Sequence, residues 1–275
     1  MKYIEVFFPH NHPDKNEIFI ASLADIGFES FMENEDGLTA YIQEPQFNEN
    51  ELYDALMPYT DDTLNLQIKT IADQNWNAVW ESNFQPVMVG EICFIRAPFH
   101  PANPDAKFDI IIEPKMSFGT AHHETTSTMI ELLLLEDLKD KSLLDMGCGT
   151  GVLAILAEML GTMPIVAIDN DSWAYENTIE NIERNHCKHI TAFQGDAASI
   201  ENQKFDIILA NINRNILLED MHTYVNAINP KGLLFMSGFY EEDFKFIEEK
   251  ANELGMFNIR KLIKNNWVAC VFKLQ

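Results

Sequence analysis

Positive charge is scarce in this chain: 19 lysines and arginines stand against 43 aspartates and glutamates over 275 residues, a formal net charge of −24. Nucleic-acid binding draws on clustered Lys and Arg that displace counterions from phosphate, and no such cluster occurs, so direct binding to nucleic acid is not expected. Cysteine is scarce too. Cys93, Cys148, Cys187 and Cys270 are scattered without a C-x-x-C pair, so neither a zinc site nor a disulfide framework is expected. The one metal-like group, Asn185-His186-Cys187-Lys188-His189, lacks a second ligand cluster and reads as solvated surface. No apolar run approaches membrane-spanning length, and Met1-Lys2-Tyr3-Ile4-Glu5-Val6 lacks a signal peptide's apolar core. The expectation is a cytoplasmic, reduced protein with no membrane partner and no metal.

What the chain does have is a glycine-rich turn between a strand and a helix. The short apolar run Ser142-Leu143-Leu144 leads into Asp145-Met146-Gly147-Cys148-Gly149-Thr150-Gly151, and a helical pattern follows over residues 152–160. Glycines at alternate positions permit a sharp turn and leave no β-carbon between backbone and ligand, while the helix start offers free N–H groups. Asp169 ends the buried-strand run Pro164-Ile165-Val166-Ala167-Ile168, 22 residues after Gly147, where a carboxylate can accept both hydroxyls of a ribose. These features read as a nucleoside-cofactor site. The dinucleotide fingerprint G-x-G-x-x-G requires a glycine at position 152, which is Val152, so that class fails.

Regular alternation follows. Strands are expected at about 142–146, 163–168, 190–194, 205–210 and 232–237, with helices at about 151–160, 173–185 and 216–228, a doubly wound α/β sheet. A helix at about 241–254 and an antiparallel pair around Asn265-Asn266 complete it. Gly195-Asp196 and Asn211 to Asn213 close two of the strands with polar groups; Asp196 can accept an adenine amine or cap a helix. Ahead of the sheet, strand-like runs at 91–97 and 108–112 lead to a polar loop before a helix at 127–135, which Thr125 or Thr126 is placed to cap.

The first 72 residues differ in character. They hold 14 acids against 3 lysines and no arginine, and their pattern is β-α-β-β-α-β, the ferredoxin-like split motif. Asp14 and Glu17 suggest a capping box, and Leu64, Leu66 and Ile68 alternate as the fourth strand. Residues 73–85, with Trp76 and Trp80 four apart, form an expected linker helix closed by Pro86, and residues 86–275 the larger domain.

The loop Phe118-Gly119-Thr120-Ala121-His122-His123-Glu124-Thr125-Thr126 resembles the F-G-T-G-x-H-x-T-T signature of the PrmA family, the methyltransferases of ribosomal protein L11. The glycine loop at Asp145 to Gly151, the Trp-containing segment ending at Pro86 and Asn211-Ile212-Asn213 match the same family, so the resemblance spans the chain. It implies an S-adenosylmethionine-dependent enzyme that methylates lysine and N-terminal amines of a Lys-rich ribosomal protein. A monomer is expected, with the acidic first domain recognising the substrate. The implied cofactor contacts are Thr126, Gly147, Gly149, Asp169 and Asn211; no general base is visible, so no catalytic residue is assigned. Two rival readings are a methyltransferase for nucleic-acid bases or small molecules, and a noncatalytic cofactor-binding scaffold. Base methyltransferases of the first kind carry Asn-Pro-Pro-Tyr where Ile212-Asn213-Arg214 follows Asn211 here. Ala121 stands where the family carries glycine, a strain of about 1 kcal/mol if that position needs positive φ. Asn213 and Arg214 replace the family's Leu-Ala.

Overall fold

The computed structural model describes all residues except 1, 10–12, 35–36, 60–65, 72–83, 116 and 201–202, and only the backbone of 13–15, 17 and 34. The expected Trp76/Trp80 helix, the turn at Asp36, the side chains of Asp14 and Glu17, and Leu64 lie outside the described set. The chain divides into two compact units, Met1–Phe84 and Gln85–Gln275.

In the first unit, strands β1 (Tyr3–Phe8), β2 (Ser30–Asn34), β3 (Gly37–Gln43) and β4 (Gln67–Ile71) form one sheet in the order β2-β3-β1-β4, every pair antiparallel. Alternation dictates its two faces. Ile4, Val6 and Phe8 point the same way as Leu38, Ala40 and Ile42, and helices α1 (Pro13–Asp25) and α2 (Glu49–Leu56) bury that face with Phe19, Leu23, Leu52 and Leu56. The other face carries Glu5 and Tyr41. Asn48 caps α2 by accepting from the Asn50 N–H at 3.0 Å.

The second unit begins with a small sheet, β5 (Val87–Val89), β6 (Cys93–Arg96) and β7 (Phe108–Ile111). Helix α3 (Glu124–Leu134) follows, and then the main sheet: β8 (Leu143–Met146), β9 (Ile165–Asp169), β10 (Ile190–Gln194), β11 (Phe205–Asn211), β12 (Ile228–Tyr240), β13 (Met256–Lys264) and β14 (Trp267–Leu274). Its order is β10-β9-β8-β11-β12-β14-β13, parallel from β10 to β12, with β14 antiparallel to both of its neighbours. The intervening helices are α4 (Val152–Met159), α5 (Ser172–Arg184), α6 (Arg214–Ala227) and α7 (Phe244–Glu253). Parallel strands must be covered on both faces, which explains their near-continuous apolar runs. Ile207 and Leu209 of β11 face one core with α3 and α4, while Ile208 and Ala210 face the other with α6 and α7. Every residue from Val152 to Ala157 is buried, because α4 lies between the sheet and other elements rather than at the surface.

Strand order reverses between β8 and β11, which start connections to opposite sides, and the carboxyl ends there leave a crevice. Beyond it, β12 carries a register shift between Ser237 and Phe239. Gly238 (φ 97°) sits in that shift, where a β-carbon would lie 2.1 Å from the Ile212 carbonyl oxygen. Only glycine lets β12 pass so close to the end of β11. Among the described residues no helix is long and apolar enough to cross a membrane.

Candidate functional site

The crevice at the switch point holds a cavity of about 570 Å³, within the range of small-molecule sites. Gly147, Gly149, Asp169 and Asn211 all line it. Thr126 reaches the same place from α3: its hydroxyl oxygen accepts the Asn211 side-chain amide at 3.4 Å. The structure therefore gathers four of the five residues singled out in the sequence around one space and sets the fifth, Thr126, against Asn211 behind its wall.

The glycine loop is built by hydrogen bonds that do not involve a ligand. Gly147 and Cys148 both donate their N–H to the Ile168 carbonyl, at 2.8 and 3.1 Å, which ties the end of β8 to the end of β9. Asp169 fixes the next turn: one carboxylate oxygen accepts the Gly149 N–H at 2.8 Å and the other the Asp171 N–H at 3.0 Å. Each oxygen keeps a lone pair for a hydroxyl donor, so Asp169 organises the loop as well as facing the cavity. Asp171 in turn caps α5, accepting from Trp173 at 2.7 Å. Below the loop Asp145 is fully buried. Burial pushes its carboxyl up to about 7, partly offset by the Ala154 N–H that it accepts and raised further by the nearby Asp169.

The glycines serve the sharp turn expected of them, with φ 69°, 59° and 76° at Gly147, Gly149 and Gly151, and two of them also admit close neighbours. A β-carbon on Gly149 would stand 2.2 Å from the Phe118 carbonyl oxygen, and one on Gly147 would stand 2.4 Å from Ile212 Cγ2. Absent side chains here make room for the protein's own loop. Thr150 donates its N–H to the Phe118 carbonyl at 2.9 Å and its hydroxyl to Gly119 at 2.7 Å, so the segment before α3 is docked onto the glycine turn.

That segment also corrects the expected cap. Neither Thr125 nor Thr126 caps α3; His123 does, its Nδ1 accepting the Thr125 N–H at 3.3 Å. Thr126 lies in the first turn, which is what turns its hydroxyl toward Asn211. Ala121 has φ 66°, so the strain foreseen for alanine at a glycine position is present. Asn213 is the cap of α6, accepting from Asn215 and Ile216 at 3.1 and 3.2 Å, and Arg214 is paired with Asp243.

Among the described residues, two polar atoms at this site are buried without a partner, Asn211 Oδ1 and Ser117 Oγ, and both residues line the cavity. Orphaned buried polar groups cost free energy unless something else pairs with them. None of the cysteines offers a nucleophile: burial raises the thiol pKa of all four, Cys93 and Cys187 to about 12. The His186–His189 stretch is likewise used structurally, since Glu158 accepts the N–H groups of Lys188 and His189 at 2.7 and 2.9 Å.

Sequence reasoning missed one set of residues. Asn177, Thr178 and Asn181 on α5 are completely buried. Thr178 donates to the Gly149 carbonyl at 2.9 Å and Asn181 to that of Thr150 at 2.9 Å, while Asn181 Oδ1 accepts the Glu113 N–H at 2.8 Å. Asn185 continues the row by exchanging two bonds with Ile111. This seam holds the glycine turn and the strand leading to the docked loop at fixed separation. Its signal was the spacing Asn177, Asn181, Asn185, three amides on one helix face.

Comparison with known proteins adds a family. The family described as Ribosomal protein L11 methyltransferase (PrmA) matches residues 14–275. A protein of Phocaeicola vulgatus named Ribosomal protein L11 methyltransferase is 48% identical over 279 residues, covering 99% of each chain. One of Chlorobaculum tepidum with the same name is 34% identical over 95% of this chain and 96% of its own. A crystal structure of ribosomal protein L11 methylase from Lactobacillus delbrueckii subsp. bulgaricus superposes with a TM-score of 0.65, covering 70% of this chain and 99% of that one; at 22% identity it bears on the fold alone.

Proposed function

We propose the chemistry of this site from one premise: the chain belongs to the ribosomal protein L11 methyltransferase family. It is a methyltransferase acting on ribosomal protein L11. When bound, S-adenosylmethionine supplies a methyl group on a sulfonium, open to in-line attack by an amine. The residues fit that cofactor: Asp169 has acceptor capacity left for the ribose, Gly147 and Gly149 present main chain, and Thr126 and Asn211 close the reaction end. Asp196, which also lines the cavity, is placed for the adenine amine.

The observation that carries the reading is the unpartnered, buried Asn211 Oδ1. A carbonyl oxygen of this kind accepts a hydrogen from a neutral amine and turns its lone pair toward the methyl group. An attacking lysine must first lose a proton to water, at a cost of about 4–5 kcal/mol at neutral pH that an apolar, cation-bearing site reduces. His123 is not assigned as the base, because its Nδ1 is engaged in capping α3. The amines intended are lysine side chains and the N-terminal amino group.

The first unit is assigned as a ferredoxin-like domain that holds the basic substrate; its strand order and two covering helices support the fold, and the net −11 of its first 72 residues supports the role. A monomer working in the cytoplasm completes the proposal. Transfer of labelled methyl from S-adenosylmethionine to purified ribosomal protein L11, run beside protein-free ribosomal RNA, tests it. Label on the protein alone is the expected result. Label on RNA, or on neither, would overturn the reading.

A further inference from the structure

The second buried orphan of the cavity wall, Ser117 Oγ, has no task in methyl transfer. Its place is fixed by the docking of the loop before α3: the next residue, Phe118, takes the Thr150 N–H on its carbonyl at 2.9 Å, directly over Gly149. Ser117 therefore joins the cavity beside the glycine turn that follows β8. With Asp196, just past β10, assigned to the adenine amine, Asp169 at the end of β9 to the ribose, and Asn211 at the end of β11 to the reaction, β8 is the strand between ribose and reaction end. Its turn is left for the amino-acid tail of the cofactor.

The carboxylate of that tail requires hydrogen-bond donors, and the turn itself has none to spare. Gly147 and Cys148 give their N–H groups to Ile168, Gly149 to Asp169, Thr150 to Phe118 and Gly151 to Cys148, while the Thr150 hydroxyl is spent on the Gly119 carbonyl. Charge does not help either. Among the described residues lining the cavity are four aspartates, Asp169, Asp171, Asp196 and Asp220, and no lysine, arginine or histidine. A carboxylate entering here meets like charge without a cation, so a neutral donor must hold it. A serine hydroxyl is such a donor, its hydrogen turning about the C–O bond to suit the partner. Left unpaired and buried it costs free energy, which a ligand that accepts its hydrogen bond restores.

We propose that Ser117 is a further cofactor-binding residue, whose hydroxyl donates to the α-carboxylate of the S-adenosylmethionine tail. The inference rests on the reading of the cavity as the S-adenosylmethionine site. It gives the loop before α3 a direct part in binding: Phe118 and Gly119 fasten the loop to the glycine turn, and Ser117, one residue earlier, presents the donor that the turn lacks. The orphaned atoms then divide the cofactor between them, Ser117 Oγ taking the tail and Asn211 Oδ1 the reaction end.

The test uses the full-length protein, the Ser117→Ala variant and two ligands: S-adenosylhomocysteine, which keeps the tail, and adenosylthiopropylamine, the same molecule without its carboxylate. By calorimetry Ser117→Ala should bind S-adenosylhomocysteine about tenfold more weakly than the wild type does, the scale of one charge-assisted hydrogen bond, and adenosylthiopropylamine equally well. The unfolding temperature of the ligand-free variant should equal or exceed that of the wild type, because the substitution removes an orphaned buried oxygen and breaks no bond. Unchanged affinity for S-adenosylhomocysteine would overturn the proposal. So would an equal loss for both ligands, or a ligand-free variant that melts below the wild type, since either result would make the hydroxyl a support of the loop. A wild type that binds neither ligand would instead defeat the reading of the cavity itself, and this proposal with it.

Discussion

Gly149 lies directly beneath the Phe118 carbonyl, at a separation a β-carbon would reduce to 2.2 Å. The two residues belong to different segments, and their contact joins the cofactor turn to the loop that precedes α3. Gly149 is also left-handed, with φ 59°. Gly149→Ala therefore meets two costs at once, backbone strain and displacement of the docked loop. Its expected effect is a loss of about 2–4 kcal/mol in stability together with weakened S-adenosylmethionine binding. Denaturant unfolding and calorimetry would show both; a variant of wild-type stability and affinity would contradict the docking role.

Much of this arrangement was legible in the chain because periodicity reports burial. Strands β8 to β11 appear near their expected positions, and Asp169 ends β9 as its spacing required. What stayed hidden was set by tertiary contact. No local pattern says that Gly147 and Gly149 also make room for Ile212 and Phe118. Capping rules favour a threonine hydroxyl over an imidazole, yet His123 takes the cap because its ring is wedged between Phe118 and Trp267. The short β5 carries too few residues to show a period.

The buried amide row gives a second prediction. Asn181 makes hydrogen bonds to Glu113, Thr150 and Asn177, all inside the protein. Asn181→Leu keeps the volume but strands those backbone groups, at about 2–4 kcal/mol. Cofactor affinity should fall with it, since the Thr150 carbonyl belongs to the glycine turn. Unfolding midpoints equal to the wild type would show that α5 merely packs beside the loop.

Asn211 separates chemistry from folding. Its Oδ1 has no partner, so Asn211→Ala removes a buried orphan as well as some packing, and stability should change by about 1 kcal/mol or less. Turnover should fall about 100-fold, the scale of a lost orienting or charge-stabilising contact. Near-wild-type kcat in this variant would take Asn211 out of the reaction.

Asp145 makes stability depend on pH in a direction opposite to that of a salt-bridged acid. Its carboxyl is raised from 3.8 to about 7, so between those values the folded protein keeps a proton that the unfolded chain has released. Stability from this group is complete below pH 3.8 and is lost as pH rises toward 7. Asn mimics the protonated acid and escapes that loss. Relative to the wild type, Asp145→Asn should therefore gain about 2–3 kcal/mol between pH 5 and pH 8. A difference that stays flat across this range would mean that Asp145 is ionised in the folded state throughout.

Substrate choice is the remaining step, and it is proposed to reside in the charge of the first unit. Glu5 projects from β1 on the face opposite the helices, and Glu29 is exposed beside it in space, joined to Tyr3 and Gln43 of the neighbouring strands at 3.1 and 2.6 Å. Neither touches the apolar core, so replacing both with glutamine changes the field without disturbing packing. Exposed charges contribute mainly to encounter with a basic partner and are screened by salt. The double variant Glu5→Gln/Glu29→Gln should raise KM for ribosomal protein L11 by about threefold to tenfold, on the scale of two exposed ion pairs. Its kcat and its affinity for S-adenosylmethionine should match the wild type, because neither glutamate belongs to the cavity. Added salt should then raise KM less steeply in the variant, since fewer attractive pairs remain to be screened. Steady-state kinetics at two ionic strengths decide the matter: equal KM values and equal salt slopes would show that the acidic face serves solubility and leave recognition to other surfaces.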